Sequence, residues 1–404
     1  NGTSDIYWTS NTFDSAGRPW KVTTPDGAEV ETTYGLASTS GYLLGSVVTV
    51  EDQAGKLRRS ITNALGQLKR VDEPNGSNAL GALTAPNQDT TYAYDLLNNL
   101  TAVTQGAQTR TFTYDALSRL KTAVNPESGT INYTYDENNN LVSKVDARSI
   151  TTTYAYDRLN RVTQRTYTNE PSGSDTPDVA YYYDDLTNAK GKLTKVSSSV
   201  STTEYTSFDI LGRVTAAKQT TDGGDSAGYT TGYTYKLNGA LDEETYPSGR
   251  VVKNVLDNTG DLSIVQSKKN TASGYWHFAD SFTYNAAGAV TSMQLGNGRW
   301  ESTQFNSRLQ PTQIALGSTN AATDLVKLNY TYNTTGNADN NGNVLSQTIT
   351  VPTVGSNNGF VAVQSYGYDE LNRLKDATEI VTPTGGSSSQ SWKQEFSFDR
   401  YGNR

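Results

Sequence analysis

The 404 residues include no cysteine, one histidine and one methionine. Without cysteine there is no disulfide framework, no thiolate nucleophile, no Cys/His zinc cluster and no iron–sulfur site. A Ser-His-Asp arrangement would have only His277 to draw on. Long apolar runs are also missing: residues 42–50 form the most apolar segment, broken by Gly45 and Ser46. A membrane helix needs roughly 18 to 20 apolar residues, so no membrane span is expected. Positive charge is in short supply, with 33 Lys+Arg against 41 Asp+Glu and a net charge of −8. That balance argues against a nucleic-acid partner. Residues 1–5 carry neither an initiator Met nor a signal-peptide pattern, and the chain reads as a piece of something longer.

What the chain does have is Tyr (26 residues), Gly (35 residues) and a short repeat. Tyr94-Asp95-Leu96-Leu97-Asn98-Asn99-Leu100 returns as Tyr114-Asp115 to Leu120, Tyr135-Asp136 to Leu141 and Tyr156-Asp157 to Val162, at spacings of 20, 21 and 21 residues. Later copies start at Phe208-Asp209, Tyr235-Lys236, Leu256-Asp257, Tyr284-Asn285, Tyr332-Asn333, Tyr368-Asp369 and Phe398-Asp399, and weaker ones at Phe13-Asp14, Glu51-Asp52 and Thr62-Asn63. Tyr183-Asp184 and Phe305-Asn306 read as variants with an insertion and a deletion in the turn.

Four residues after the aromatic stands Gly or Asn, as at Asn98, Asn139, Asn160, Gly212, Asn372 and Gly402, with Ser118 an exception. Gly and Asn enter the left-handed backbone region at least cost. Three residues earlier, Asp95, Asp115, Asp136, Asp157, Asp209, Asp369 or Asp399 can accept turn N–H groups and open a type I turn. A type I turn followed by a left-handed residue is a common hairpin connection, so each copy predicts a β-hairpin. Ahead of the turn, rings alternate with small residues, as in Tyr92-Ala93-Tyr94, Phe112-Thr113-Tyr114 and Tyr133-Thr134-Tyr135. Period two puts both rings of a pair on one face of a strand. The Gly/Ser/Asn-rich return connections, such as 73–87, read as surface loops.

These residues resemble the YD-repeat or RHS-repeat family, whose unit is Tyr-Asp, then Gly or Asn, then Arg and an apolar residue. The resemblance extends from about Phe13 to Arg404. It implies an all-β fold, a spiral of stacked antiparallel β-hairpins forming part of a curved or closed hollow shell. It further implies a structural role: a β-shell segment that encloses or presents another polypeptide, a C-terminal toxin or effector, as in bacterial RHS proteins and the B and C components of Tc toxins. The expected partners are then the rest of a longer chain and an enclosed toxin domain, and the expected location is secreted or cell surface. Residues 1–404 form one array that stops in mid-repeat at Phe398-Asp399-Arg400-Tyr401-Gly402-Asn403-Arg404. The acidic core segment with which toxin-enclosing relatives cut their own chain is not found here.

The alternative is an extracellular adhesin module whose exposed Trp and Tyr bind glycans or a surface partner; Trp8, Trp20, Trp276, Trp300 and Trp392 serve equally well as packing. No enzymatic activity is expected. The repeated Asp suits turn capping better than acid–base catalysis, and a lone His277 in an aromatic strand suits a structural role. The arginines after the turns (Arg119, Arg161, Arg213, Arg373) are expected along neighbouring Tyr faces or paired with Asp between hairpins. Asp339-Asn340-Asn341-Gly342-Asn343 offers oxygen ligands but lacks the 12-residue EF-hand spacing, and reads as a long hairpin turn. No cofactor, metal or catalytic residue is expected.

Overall fold

A computed structural model of the chain describes residues 7–37, 45–173, 175–270 and 273–404. Residues 1–5, singled out in the sequence, lie outside this set, as do 42–44 of the apolar 42–50 segment. The described residues form strands, turns and connections, with no helix among them. The chain separates into two compact units, residues 110–282 and residues 1–109 together with 283–404.

In the 110–282 unit, strands follow one another as antiparallel neighbours. Leu120–Asn125 pairs with Gly129–Tyr135, which pairs with Leu141–Val145, which pairs with Thr151–Tyr156. Alternation gives each strand two unlike faces. On Gly129–Tyr135, Ile131, Tyr133 and Tyr135 are half-buried while Thr130, Asn132 and Thr134 are exposed. Hydroxyls also meet across the ladder, as those of Thr113 and Thr122 do, and those of half-buried Ser207 and Thr215 at 2.6 Å. Hydroxyl pairs satisfy each other there without adding charge.

The larger unit is built the same way, from Ser10–Phe13 to Leu100–Gln105 and from Val290–Leu295 to Ser389–Glu395. Its apolar core is small: Ala37, Val47 and Ile61, with Leu83 packed on them. Leu83 belongs to the segment that the sequence reads as a surface loop. Instead, Gly81–Ala82 and Ala85–Pro86 pair as a miniature hairpin, and Leu80 is buried. Underneath, Asp72 is fully buried between Arg59 at 2.6 Å and Arg70 at 2.7 Å. The guanidinium groups also donate to the carbonyls of Gly81, Ala82 and Leu83. Apolar contact and charge-assisted bonds therefore hold the segment down together, which a reading based on its Gly/Ser/Asn content alone could not detect.

Candidate functional site

The repeated feature with defined chemistry is the hairpin turn. At Asp115 the Ser118 N–H donates to the Asp115 carbonyl at 3.0 Å and the Asp115 N–H to the Arg119 carbonyl at 3.0 Å. The Asp115 carboxylate accepts the N–H groups of Leu117 and Arg119 at 2.9 and 3.0 Å. Ser118 takes φ of 61°, the left-handed region. The register then shifts by one residue between Thr113 and Tyr114, the bulge that such a turn produces. The same closure occurs at Asp95 with Asn98, Asp136 with Asn139, Asp157 with Asn160, Asp209 with Gly212, Asp369 with Asn372 and Asp399 with Gly402, at 2.9 to 3.3 Å. All six left-handed residues have positive φ.

These carboxylates are fully used as acceptors, and this sets their acidity. The backbone N–H of Arg119, Arg161 and Arg213 holds Asp115, Asp157 and Asp209 respectively below the usual carboxylate range. At Asp95, Asp136 and Asp399 the amide side chains of Asn99, Asn140 and Asn403 have that effect. An ionised acceptor favours the folded turn, because a protonated one would lose these bonds.

The tyrosine that opens each turn reaches back to the previous hairpin. Tyr135 Oη donates to the Leu120 carbonyl at 3.0 Å, Tyr156 to Leu141 at 2.8 Å, Tyr183 to Val162 at 2.9 Å, Tyr235 to Val214 at 2.8 Å, Tyr332 to Pro311 at 2.9 Å and Tyr368 to Val344 at 2.9 Å. Leu120, Leu141, Val162, Val214 and Pro311 each follow directly after a turn, beside its bulge. The arginine next to it lies over the same ring: Arg119 over Tyr135 at 4.9 Å, Arg161 over Tyr183 at 4.3 Å and Arg213 over Tyr235 at 4.5 Å. Arg373 covers Phe398 at 4.6 Å, where no hydroxyl is available. Other opening rings, among them Tyr94, Tyr114 and Phe208, stand at the same place on their strands, and Phe208 is buried.

The arginine carboxylate partner is its own turn Asp: Arg119 Nε to Asp115 at 2.7 Å, Arg213 Nε to Asp209 at 2.6 Å, Arg373 Nε to Asp369 at 2.6 Å. Arg161 additionally meets Asp184 of the next hairpin at 2.7 Å. Turn, arginine and following ring make one clamp, and the clamps link successive hairpins.

One of the two turn variants differs from the sequence reading. Phe305-Asn306 is not a shortened turn: Leu309 N–H donates to the Asn306 carbonyl at 3.0 Å, and Leu309 occupies the left-handed position with φ of 61°. An apolar residue there hid the match. Return connections also use the closure, as at Thr24–Gly27, Asp146–Ser149, Tyr246–Gly249 and Leu295–Gly298; Gly or a small polar residue in third place was the available signal.

Within the larger unit, turns far apart in sequence also meet. Asn340, 3% exposed, donates its amide to Asp26 at 2.8 Å and to Gln310 at 2.7 Å. Burial works against ionisation of Asp26, but Thr24, Ala28 and Asn340 outweigh it and its acidity is raised. Asn341 donates to Asn372 at 2.9 Å, Asn372 to Asp52 at 2.9 Å, and Lys56 pairs with Glu370 at 2.6 Å. Farther along, Arg400 donates to the Asp89 carbonyl at 2.6 Å. The Asp339–Asn343 stretch thus acts as an amide seam between turns. No group of three or more metal-ligating side chains occurs among the described residues. His277 Nδ1 lies 2.7 Å from Asp280 on an exposed strand.

The RHS Repeat family model matches residues 94–131 and 135–174, the stretch in which the clamp is most regular. Over those residues the chain carries RHS repeats. No curated protein matches it with significance. Among solved structures, TcdB2-TccC3 aligns over 94% of this chain with a TM-score of 0.76 and 18% identity. TcdB2-TccC3 without its hypervariable C-terminal region aligns over 98% with a TM-score of 0.72 and 15% identity. The Photorhabdus luminescens Tc holotoxin pore aligns over 95% with a TM-score of 0.70 and 15% identity. At such identities the likeness is one of fold, the antiparallel RHS sheet. This chain spans about a fifth of the length of those chains.

Proposed function

We propose that the chain is a wall segment of a longer RHS protein, secreted from a bacterium, that encloses or presents a polypeptide such as a C-terminal toxin or effector. Its role is architectural rather than catalytic. The observation that carries this reading is the seam joining Asp26 and Asp52 to Asn340 and Asn372, which binds early hairpins of the array beside late ones. A wall needs two kinds of cohesion: clamps along the ribbon and bonds between its passes. Both use fixed side-chain hydrogen bonds, which suits a sheet with little apolar core. The fold likeness to TcdB2-TccC3 supports the same reading.

The test uses the full-length chain that contains this segment. Whatever polypeptide follows the array is expected to survive protease while the array is folded and to be digested once it is unfolded. Digestion in the native state at the rate of that polypeptide alone would rule the proposal out.

A further inference from the structure

We propose that Asn75-Gly76 is a self-modification site, at which Asn75 loses its side-chain amide as ammonia and becomes aspartate or isoaspartate. The turn at residues 75–78 has the closure of the repeat turns: the Asn78 N–H donates to the Asn75 carbonyl at 2.9 Å, and Asn78 takes φ of 55°. Asn75 stands where those turns carry a capping Asp, and Gly76 where they carry Leu96, Ala116, Arg158 or Ile210. Asn also caps the turns at Asn63, Asn285 and Asn306, but there Ala64, Ala286 or Ser307 follows. At Asn75 a capping amide is followed by glycine, whose nitrogen no Cβ shields.

In the reaction the Gly76 nitrogen gives its proton to hydroxide and attacks Cγ of Asn75. An N–Cγ bond forms and the negative charge gathers on Oδ1. The Cγ–Nδ2 bond then breaks, Nδ2 takes a proton from water, and ammonia leaves. A second water opens the five-membered imide at either carbonyl, so that overall one water is consumed and one ammonia released. The turn supplies what these steps need. Asn75 Oδ1 accepts the N–H groups of Ser77 at 3.0 Å and Ala79 at 3.1 Å, two donors fixed where the charge develops. Gly76 is exposed, and among the described residues its N–H has no acceptor, so hydroxide can reach the proton. At the other described Asn-Gly pairs that N–H is held. Gly239 donates to the Lys236 carbonyl at 3.0 Å, Gly298 to that of Leu295 at 2.8 Å, Gly342 to Asn340 Oδ1 at 3.0 Å and Gly359 to Thr353 Oγ1 at 3.0 Å. The aspartate product suits the place, since Asp95 and Asp115 accept the same pair of N–H groups in their turns. Asn75 also lines a cavity of about 300 Å³ with Arg373 and exposed Lys375, cations that favour a new carboxylate. Isoaspartate would instead lengthen the backbone and disrupt the closure. The site is independent of the wall reading.

The test is timed incubation of the purified chain in mildly alkaline buffer, native and in urea, with peptide mapping by mass spectrometry and enzymatic methyl labelling of isoaspartate. In the native chain Asn75 should convert about tenfold or more faster than Asn238, Asn297, Asn341 and Asn358, a modest share of what preorganised oxyanion donors contribute. In urea, where the donors are lost and every glycine N–H is free, the rates should converge. Gly76→Ala should slow Asn75 several-fold and keep the fold by circular dichroism, because nothing lies within 4 Å of where a Cβ would stand. A native rate at Asn75 no greater than at the other four, the same preference persisting in urea, or a rate unchanged in Gly76→Ala would each overturn the assignment.

Discussion

The amide of Asn340 donates to the carboxylate of Asp26 at 2.8 Å, although 314 residues of sequence separate them. Asn340 is buried, and its second bond goes to Gln310. Asn340→Asp would replace a donor by a second carboxylate facing Asp26. We expect a loss of about 3 kcal/mol, since an uncompensated charge would be buried. Urea unfolding gives the magnitude, and hydrogen exchange should show lost protection at both the 24–28 and 306–310 turns. Unchanged exchange at either turn would mean the seam does not hold them together.

Tyr332 is 9% exposed and donates to the Pro311 carbonyl. Tyr332→Phe keeps the packing and removes the donor. The expected cost is about 1 kcal/mol, the size of one net hydrogen bond plus an acceptor left without its partner. A change under a few tenths in denaturant unfolding would show that the back-reaching phenol contributes packing alone.

Leu309 sits in the left-handed region while its side chain is 40% exposed. Leu309→Gly should stabilise the chain by about 0.5–1 kcal/mol: relief of the left-handed strain exceeds the entropy that glycine adds to the unfolded chain. Thermal and urea midpoints are the readout, and a destabilised variant would contradict the turn geometry assigned to residues 306–309.

Asp72 lies between Arg59 and Arg70 with no exposed surface. Asp72→Ala would leave two buried arginines without a counter-charge, at a cost of about 3–5 kcal/mol. Because the two arginines also hold the carbonyls of Gly81, Ala82 and Leu83, the covering segment should exchange faster and become the first site of proteolysis. A segment as protected as before would mean that Leu80 and Leu83 suffice to anchor it.

Titration should bracket the stability of the array from both sides. The turn carboxylates Asp115, Asp157 and Asp209 have lowered folded-state values. Their contribution is present above the unfolded carboxylate range, about pH 4, and disappears as pH falls through the lower folded values. At the alkaline end, burial and then the bond to Glu243 push Tyr275 up to about 12. Its contribution is complete below the unfolded tyrosine value, about pH 10, and is lost as pH rises through the folded one. Phenolate absorbance should show a late-titrating tyrosine that Tyr275→Phe removes; its persistence in that variant would refute the assignment.

The hairpin was legible because it is local. Asp, left-handed residue and returning N–H all lie within five positions, so the residue types at Asp136 and Asn139 already carry the geometry found there. The alternation that sorts Tyr133 from Thr134 is local too. Leu309 escaped notice because its neighbours, not its own preference, place it in the left-handed region. What the amino-acid order alone determined was therefore the unit: a capped turn, a bulge and a ring on a known face. Tertiary structure decided which units meet. The meeting of Asp52 with Asn372 depends on the twist accumulated over every intervening strand, and the burial of Asp72 on a segment folding back over it. Small rotations add along a ribbon, and no window of the sequence contains their sum.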